Sequence, residues 1–429
     1  MREARERGWR LAIVAVALSV RVGYVAFFAR RHLPLADPLS YHLLGNLIAS
    51  GHGFVNPLQY VFGGRAVPTA SEPPMFPLIL AAGSALGART VLWHQLLGAA
   101  LGTLTVLGVG AVGRSVAGAR AGLLAGGIAA LYPPLWLNDG GITAESLFAV
   151  LIAAVLVVAY RFAHHPSLTS AATLGAAIGL AALTRVEAIL LVPFLLLPLV
   201  AVPMGEHMTI GTWRTPAIRA TVAVGAAALV VSPWVVRNLA TFDRPSLLST
   251  GDGTLAGANC DPAYHGPTIG LWVISCYGAP APGDESDANA AWRRQGVAYA
   301  THHPGRATLV AAVRVGRMWQ VFGPLQDARV NRDDGRPSWM NMLALGAYAS
   351  VIPLAAAGGV VLRRRRVRLL PLAAQVALVT VTAATVWGAV RFRTPADVAM
   401  TVLAGVALDR LVPWRAELSP DPVTMGSCA

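Results

Sequence analysis

The sequence predicts an all-α polytopic membrane protein with about ten transmembrane helices, an outward-facing first loop and a larger outer loop. Three observations carry that expectation. First, 55% of the 429 residues are apolar and only 13% are charged, against the ~25% charge of a soluble globular protein. Mean hydropathy is +0.56, so too little polar surface exists to cover a water-soluble body. Second, nearly charge-free runs recur at about the 20 residues that cross a bilayer core. Third, with ten crossings the arginines between the runs fall on one side. Disordered, collagenous and disulfide-scaffold classes are excluded by the same composition.

The N-terminus carries Arg2, Arg5, Arg7 and Arg10, and an apolar span from Leu11 to Ala29 follows, interrupted by Arg21. Ala15-Val16-Ala17 has the look of a signal-peptide cleavage site. The apolar run before it is too short and resumes after Arg21, so an uncleaved first helix is expected, with Arg21 snorkelling. Residues 30–75 read as a loop with a short helix, and 75–88 as an interfacial or re-entrant helix. Further spans are expected at 90–113, 121–138, 142–160, 170–184, 187–203, 220–236, 339–362, 369–390 and 395–411. The chain then divides into an N-terminal transmembrane module (1–236, with the first outer loop 30–75), an outer loop (237–338) and C-terminal transmembrane helices with a short cytoplasmic tail (339–429). Within the outer loop, Val310, Val313, Arg314, Arg317 and Trp319 lie at near-helical spacing. That suggests an interfacial helix on the outer membrane face, or an ordinary amphipathic helix packed on the loop.

Arg114 with Arg120, Arg161, Arg214 with Arg219, Arg363 to Arg366 with Arg368, and Arg410 with Arg415 share the side of the N-terminus. The positive-inside rule makes that side cytoplasmic, with both termini there and the segments 30–75 and 237–335 outside. The net charge is +13 and all 34 basic residues are arginine. A GC-rich genome accounts for that bias better than selection for phosphate contacts, while the topology points to the plasma membrane of a bacterium. A nucleic-acid partner is not expected, because the arginines sit in short loops rather than on one soluble face. Cys260 and Cys276 share a polar outer segment and read either as a disulfide or as two buried free thiols; Cys428 lies near the C-terminus.

Gly108-Val109-Gly110-Ala111-Val112-Gly113 matches a dinucleotide fingerprint literally, but it lies inside an apolar span with no preceding strand. Close helix packing explains it better, as it does Gly98/Gly102 and Gly175/Gly179. His164-His165 and His302-His303 are adjacent pairs without metal-ligand company and read as surface residues. The informative residues are ionisable groups at outer ends of spans. Asp37 could be a general base for an incoming hydroxyl, or an N-cap before Pro38. Glu72 could bind a cation or a substrate group, or be a solvated rim charge. Asp139 and Glu145 flank one outer turn, and Glu145 would suit a helix N-terminus regardless of chemistry. Arg185, Arg237, Arg391 and Arg393 lie where the positive-inside rule disfavours them, and an interfacial phosphate would justify their guanidinium forks.

In these residues the chain resembles the GT-C glycosyltransferases, in the branch of dolichyl-phosphate-mannose protein mannosyltransferases and bacterial lipid A aminoarabinose transferases. Asp37 to Tyr41, continuing through Ala49-Ser50-Gly51-His52-Gly53-Phe54, is similar to the family's acidic first-loop motif. Glu72-Pro73-Pro74-Met75-Phe76-Pro77 resembles its Pro-Pro-Leu-Tyr region. Leu131-Tyr132-Pro133 with Thr143-Ala144-Glu145 resembles its third-span exit and following acidic residue. Gly179 to Arg185, Pro233-Trp234-Val235-Val236-Arg237-Asn238 and Arg391-Phe392-Arg393-Thr394-Pro395 resemble later family segments in family order. Departures are the single acidic residue near the first helix, the atypical Asn138-Asp139-Gly140-Gly141, and the loop around Cys260 and Cys276, which matches no family feature.

The resemblance implies inverting transfer of a sugar from a polyprenyl-phosphate donor to a hydroxyl of a lipid, glycan or protein acceptor. Asp37 would take the proton. Arg185, Arg237, Arg391 and Arg393 would hold the donor phosphate. Tyr41, Glu72, Asp139, Glu145 and Asn238 would position substrate. No cofactor is required by this reading; a divalent cation is an option, with Asp37 and Glu72 as its ligands. Alternatives are a transporter, which would carry ionisable groups near the midplane, a non-catalytic partner of an envelope assembly, and an O-antigen-type ligase or polymerase using a pyrophosphate carrier.

Overall fold

A computed structural model describes residues 2–31, 33–201, 214–251, 253–330 and 336–412. The expected placement of Arg415 and of the tail carrying Cys428 lies outside the described residues. Among these the fold is helical, with no strand beyond an isolated bridge between Val55 and Pro68. The N-terminal part runs α1 (Arg2–Phe27), α2 (Asp37–Ala49), α3 (Pro57–Gly63), α4 (Met75–Ala85), α5 (Val91–Ala117), α6 (Ala119–Leu131), α7 (Pro133–Asp139), α8 (Ala144–His164), α9 (Leu168–Ala182), α10 (Leu197–Ala201) and α11 (Arg214–Thr241). The segment between α11 and the next long helix holds α12 (Thr254–Ala258), α13 (Asp261–Tyr264), α14 (Glu285–His302), α15 (Pro304–Met318) and α16 (Pro324–Val330). The chain then continues through α17 (Ser338–Arg364), α18 (Leu370–Thr385) and α19 (Thr394–Leu411).

Among the described residues, 5 helices are long and apolar enough to cross a membrane: Ala4–Arg31, Val91–Ala117, Ala144–His164, Arg214–Thr241 and Ser338–Arg364. The others are shorter than the sequence suggests, for local reasons. The expected span 121–138 breaks at Tyr132, whose extended backbone precedes Pro133 and Pro134; proline cannot donate and disfavours the helical conformation before it. The expected span 187–203 is a 3-10 turn (Val186–Leu190), a π turn (Val192–Leu196) and α10, interrupted by Pro193 and Pro198. α18 stops at Thr385, short of the expected residue 390.

Small residues bring the long helices together. Gly108 lies against Ala153, and Gly113 against Gly122 and Ala125, so the fingerprint-like glycines of α5 serve packing against α8 and α6. A Cβ at Gly175 would overlap the backbone of Ala223 on α11. Gly175→Val is therefore expected to push α9 from α11 and to lower stability by about 1–3 kcal/mol, read as a reduced Tm of the purified protein; an unchanged Tm would contradict this crossing.

Two expectations change here. Arg21 does not snorkel. It is 1% exposed, and its Nε donates to Asp139 Oδ2 at 2.6 Å while Nη1 reaches the carbonyls of Ala17 and Ala130. Gly102 lacks the Cβ that would occupy the space of this pair. The near-helical stripe of α15 is turned into protein. Val310, Val313, Arg314 and Arg317 are buried in protein, with Arg317 donating to Asp327 at 2.5 Å and Arg314 to Ala258 and Asn259. Cys260 and Cys276 form a disulfide across a sequence separation of 16, a loop length for which cross-linking is worth ~3 kcal/mol.

Candidate active site

Four chain turns converge at one end of the bundle. Asp37 opens α2 and Glu145 opens α8, so both carboxylates sit in first turns, where exposed backbone amides favour negative charge. Asp37 is not the N-cap; Ala36 holds that place and no side chain caps the helix. Arg185 lies in extended backbone after α9, ahead of a 3-10 turn. Arg391 lies in a second 3-10 turn, Val390–Arg393, ahead of α19. The start of α4 is tied to the end of α9 by Met75 N donating to Leu183 O at 2.9 Å, which brings the segment carrying Glu72 to the same place.

The side chains interlock. Arg391 Nη1 donates to Asp37 Oδ2 at 2.8 Å, and its Nε lies 3.9 Å from Glu145 Oε1. Arg185 Nη1 donates to the same Glu145 oxygen at 2.6 Å, and its Nε to Glu187 Oε1 at 2.5 Å. The Phe392 ring carries both cations, with Arg185 at 4.5 Å and Arg391 at 5.2 Å from its centroid. Tyr41 Oη donates to Glu72 Oε2 at 2.5 Å. Burial, then the charges of Glu72, Asp37 and Glu145, push the Tyr41 phenol well above its ordinary range, so it remains a proton donor. Glu145 is 3% exposed and Arg185 17%, while Asp37 keeps 35% and Arg391 26%. The most accessible carboxylate thus stands beside an accessible guanidinium, over a buried ionic floor.

The remaining expected residues are elsewhere. Asp139 is buried and bonded to Arg21, whereas Glu145 lies in the cluster. Arg393 is 0% exposed; it bonds Asp397 at 3.1 Å and lies 3.7 Å from the Tyr348 ring centroid. Arg237 donates to the carbonyls of Thr69 and Phe54 and lies over Trp234. Asn238 donates to Leu247 O. These two hold the first outer loop and the chain after α11, outside the cluster. Glu187 was missed by sequence reasoning: its Arg-x-Glu spacing outside a regular helix is the signal, and it had been read as part of an apolar run. Glu285 was missed too; it clamps the first loop by accepting from Thr69 Oγ1 at 2.6 Å and Ala70 N at 2.9 Å.

For a cation, Asp37 and Glu72 offer oxygens at this site, each already engaged by Arg391 or Tyr41. Among the described residues, a group of three acidic side chains with close ligand atoms is Asp243, Asp284 and Asp287. There Asp284 accepts from the amides of Asp243, Ser286 and Asp287, and Asp287 pairs with Arg244.

Residues 71–236 match the family model described as dolichyl-phosphate-mannose-protein mannosyltransferase. No curated protein matches the sequence. Among solved structures, the apo oligosaccharyltransferase of Archaeoglobus fulgidus is similar at 14% identity and a TM-score of 0.53, over 95% of this chain and 50% of that one. The same enzyme tethered to an acceptor peptide with the NVT sequon matches at 15% identity and a TM-score of 0.52, over 94% and 49%. ArnT from Cupriavidus metallidurans bound to undecaprenyl phosphate matches at 18% identity and a TM-score of 0.44, over 94% and 78%. The chain spans about half the length of the archaeal oligosaccharyltransferases it matches. Its fold is that of the archaeal oligosaccharyltransferase's matching half.

Proposed function

We propose that this protein is a membrane glycosyltransferase that moves a sugar, with inversion, from a polyprenyl-phosphate-linked donor to a hydroxyl acceptor at the outer face of a bacterial plasma membrane. The observation that carries this reading is the convergence of Asp37, Tyr41, Glu72, Glu145, Arg185 and Arg391 from distant parts of the chain into one half-open cluster. The fold and the family model over residues 71–236 support a lipid-phosphate sugar as donor.

The acceptor oxygen attacks the anomeric carbon from the face opposite the phosphate, and Asp37 takes its proton. The bond from the anomeric carbon to the phosphate oxygen breaks, and its electron pair leaves with the lipid phosphate. Arg391 and Arg185 meet the charge that develops there. A guanidinium has five N–H donors in a fixed fork, so one group can bridge a carboxylate and a phosphate. Glu145 and Glu187 orient Arg185, and Phe392 supports both cations from beneath. Tyr41 and Glu72 form the polar wall of the sugar site. Carboxylates outnumber guanidinium groups in the cluster; a divalent cation there would be held by Asp37 and Glu72 and would supply positive charge toward the donor phosphate.

Product chemistry tests the reading. Reconstituted protein supplied with radiolabelled polyprenyl-phosphate sugars and a membrane extract is expected to yield a glycoside whose anomeric configuration, read by NMR, is opposite to that of the donor. A retained configuration would contradict the mechanism. Sugar flux without bond cleavage would favour a transporter, and transfer of whole glycans from pyrophosphate carriers would favour a ligase.

A further inference from the structure

We propose that a cavity at the end of the bundle remote from the cluster binds the phosphate headgroup of an anionic phospholipid. This binding does not depend on the transfer reaction described above.

The cavity lies at the turn between α8 and α9. It has a volume of about 480 Å³ and is lined by Arg161, His164, His165 and Ser167 at the turn, and by Val158 and Thr173 deeper along the two helices. That volume falls within the roughly 300–1,000 Å³ of small-molecule sites. α8 is a candidate membrane span, Ala144–His164. Its other end carries Glu145, and α9 ends just ahead of Arg185, the two residues that pair in the cluster. The 21 residues of α8 rise roughly 30 Å at ~1.5 Å per residue, about the thickness of a bilayer core. Cluster and cavity are thus opposite ends of one antiparallel helix pair, and the cavity stands at the headgroup level of the leaflet away from the cluster.

Nothing acidic is built in beside these cations. Between Glu145 and Glu187 the sequence has no acidic residue, and α11 and α18 have none. Arg161, His164 and His165 are exposed, and among the described residues their side chains make no hydrogen bond or ion pair. Beyond Pro166, Arg219 and Arg368 line a smaller adjoining hollow. The turn itself is preformed. His165 N donates to Arg161 O at 2.8 Å, and Ser170 Oγ donates to His165 O at 3.1 Å. Ser167 and Ser170 cap each other's amides at 3.0 and 3.1 Å. Arg219 Nη2 donates to Pro166 O at 3.3 Å, which ties the turn to α11.

A guanidinium fork with two imidazoles suits a phosphate, whose several oxygens accept at once. The layout of the lining makes that phosphate a lipid's. The cations are confined to the turn, while Val158 and Thr173 form walls that lead into the span, where the glycerol and acyl chains of a phospholipid continue. Basic pockets between transmembrane helices hold anionic headgroups in this way. The positive-inside rule accounts for the side on which such arginines fall, but it requires neither a hollow between the helices nor a preformed turn.

The test uses the full-length protein, delipidated in detergent and titrated with dioctanoyl phosphatidylglycerol or dioctanoyl phosphatidylcholine, with binding read by native mass spectrometry. Phosphatidylglycerol is expected to bind about tenfold more tightly, equivalent to about 1.4 kcal/mol. That preference should vanish in the double variant Arg161→Gln with His165→Gln. It should vanish too in Thr173→Trp, which fills the inner wall and leaves every cation in place. Arg410→Gln, at an exposed arginine away from the cavity, should bind as wild type. All four positions are exposed, so the variants are expected to keep the wild-type Tm. Equal affinity for the two lipids, or a preference that survives in either cavity variant, overturns the site. A preference lost equally in Arg410→Gln would reduce it to general surface charge and overturn it as well. Displacement of the lipid by equimolar inorganic phosphate would assign the cavity to a free phosphate and overturn the lipid. No reading involves turnover, so a failed transfer reaction leaves this site standing, and a failed site leaves the transfer reaction standing.

Discussion

Asp37→Asn is expected to lower kcat by about 10²–10⁴, the contribution typical of a positioned general base, with little change in donor KM. The amide is nearly isosteric and its oxygen can still accept from Arg391, so the 2.8 Å contact and the start of α2 survive. What disappears is the basic site for the acceptor proton. The comparison to make is steady-state transfer by wild type and variant in the same lipid, together with donor binding at equilibrium. A variant that binds donor but does not turn it over supports the assignment. Equal turnover would shift the base to Glu72, which is also only partly buried.

The second large effect concerns stability. Asp139→Ala is expected to destabilise the folded protein by about 3–5 kcal/mol, because removing one partner leaves a buried charge uncompensated. Side-chain exposures of the pair are 0% for Arg21 and 4% for Asp139, so solvent offers little compensation. Thermal unfolding in detergent reads the loss. The folded fraction should keep nearly wild-type kcat, because Asp139 is outside the catalytic cluster. A normal Tm with lost activity would return Asp139 to the site. The double variant Arg21→Met with Asp139→Leu should recover much of the stability, as removing both charges removes the desolvation cost.

Much of the helical membrane architecture was legible in composition and run length, because each span must satisfy its own backbone in lipid. The breaks were not. Tyr132-Pro133-Pro134 reads as apolar to a run-length argument, yet proline's missing donor ends α6 there. Asp37, Glu145, Arg185 and Arg391 were visible as ionisable groups at outer ends of spans. Their sorting was not, because it depends on which helix faces which. Asp139 and Glu145 are a few residues apart in sequence, but α7 turns one toward Arg21 and α8 turns the other toward Arg185. Arg391 and Arg393 likewise diverge: one side of the 3-10 turn faces Asp37 and the other faces Asp397 and Tyr348.

The central claim is that this cluster cleaves a sugar from a lipid phosphate. The most direct measurement is release of free polyprenyl phosphate by wild-type protein in proteoliposomes, across a panel of polyprenyl-phosphate sugars and with acceptor extract present. Release of the lipid phosphate in step with appearance of glycosylated acceptor, for at least one donor, is the predicted result. Intact donors throughout the panel, with the protein folded by its Tm, would contradict it.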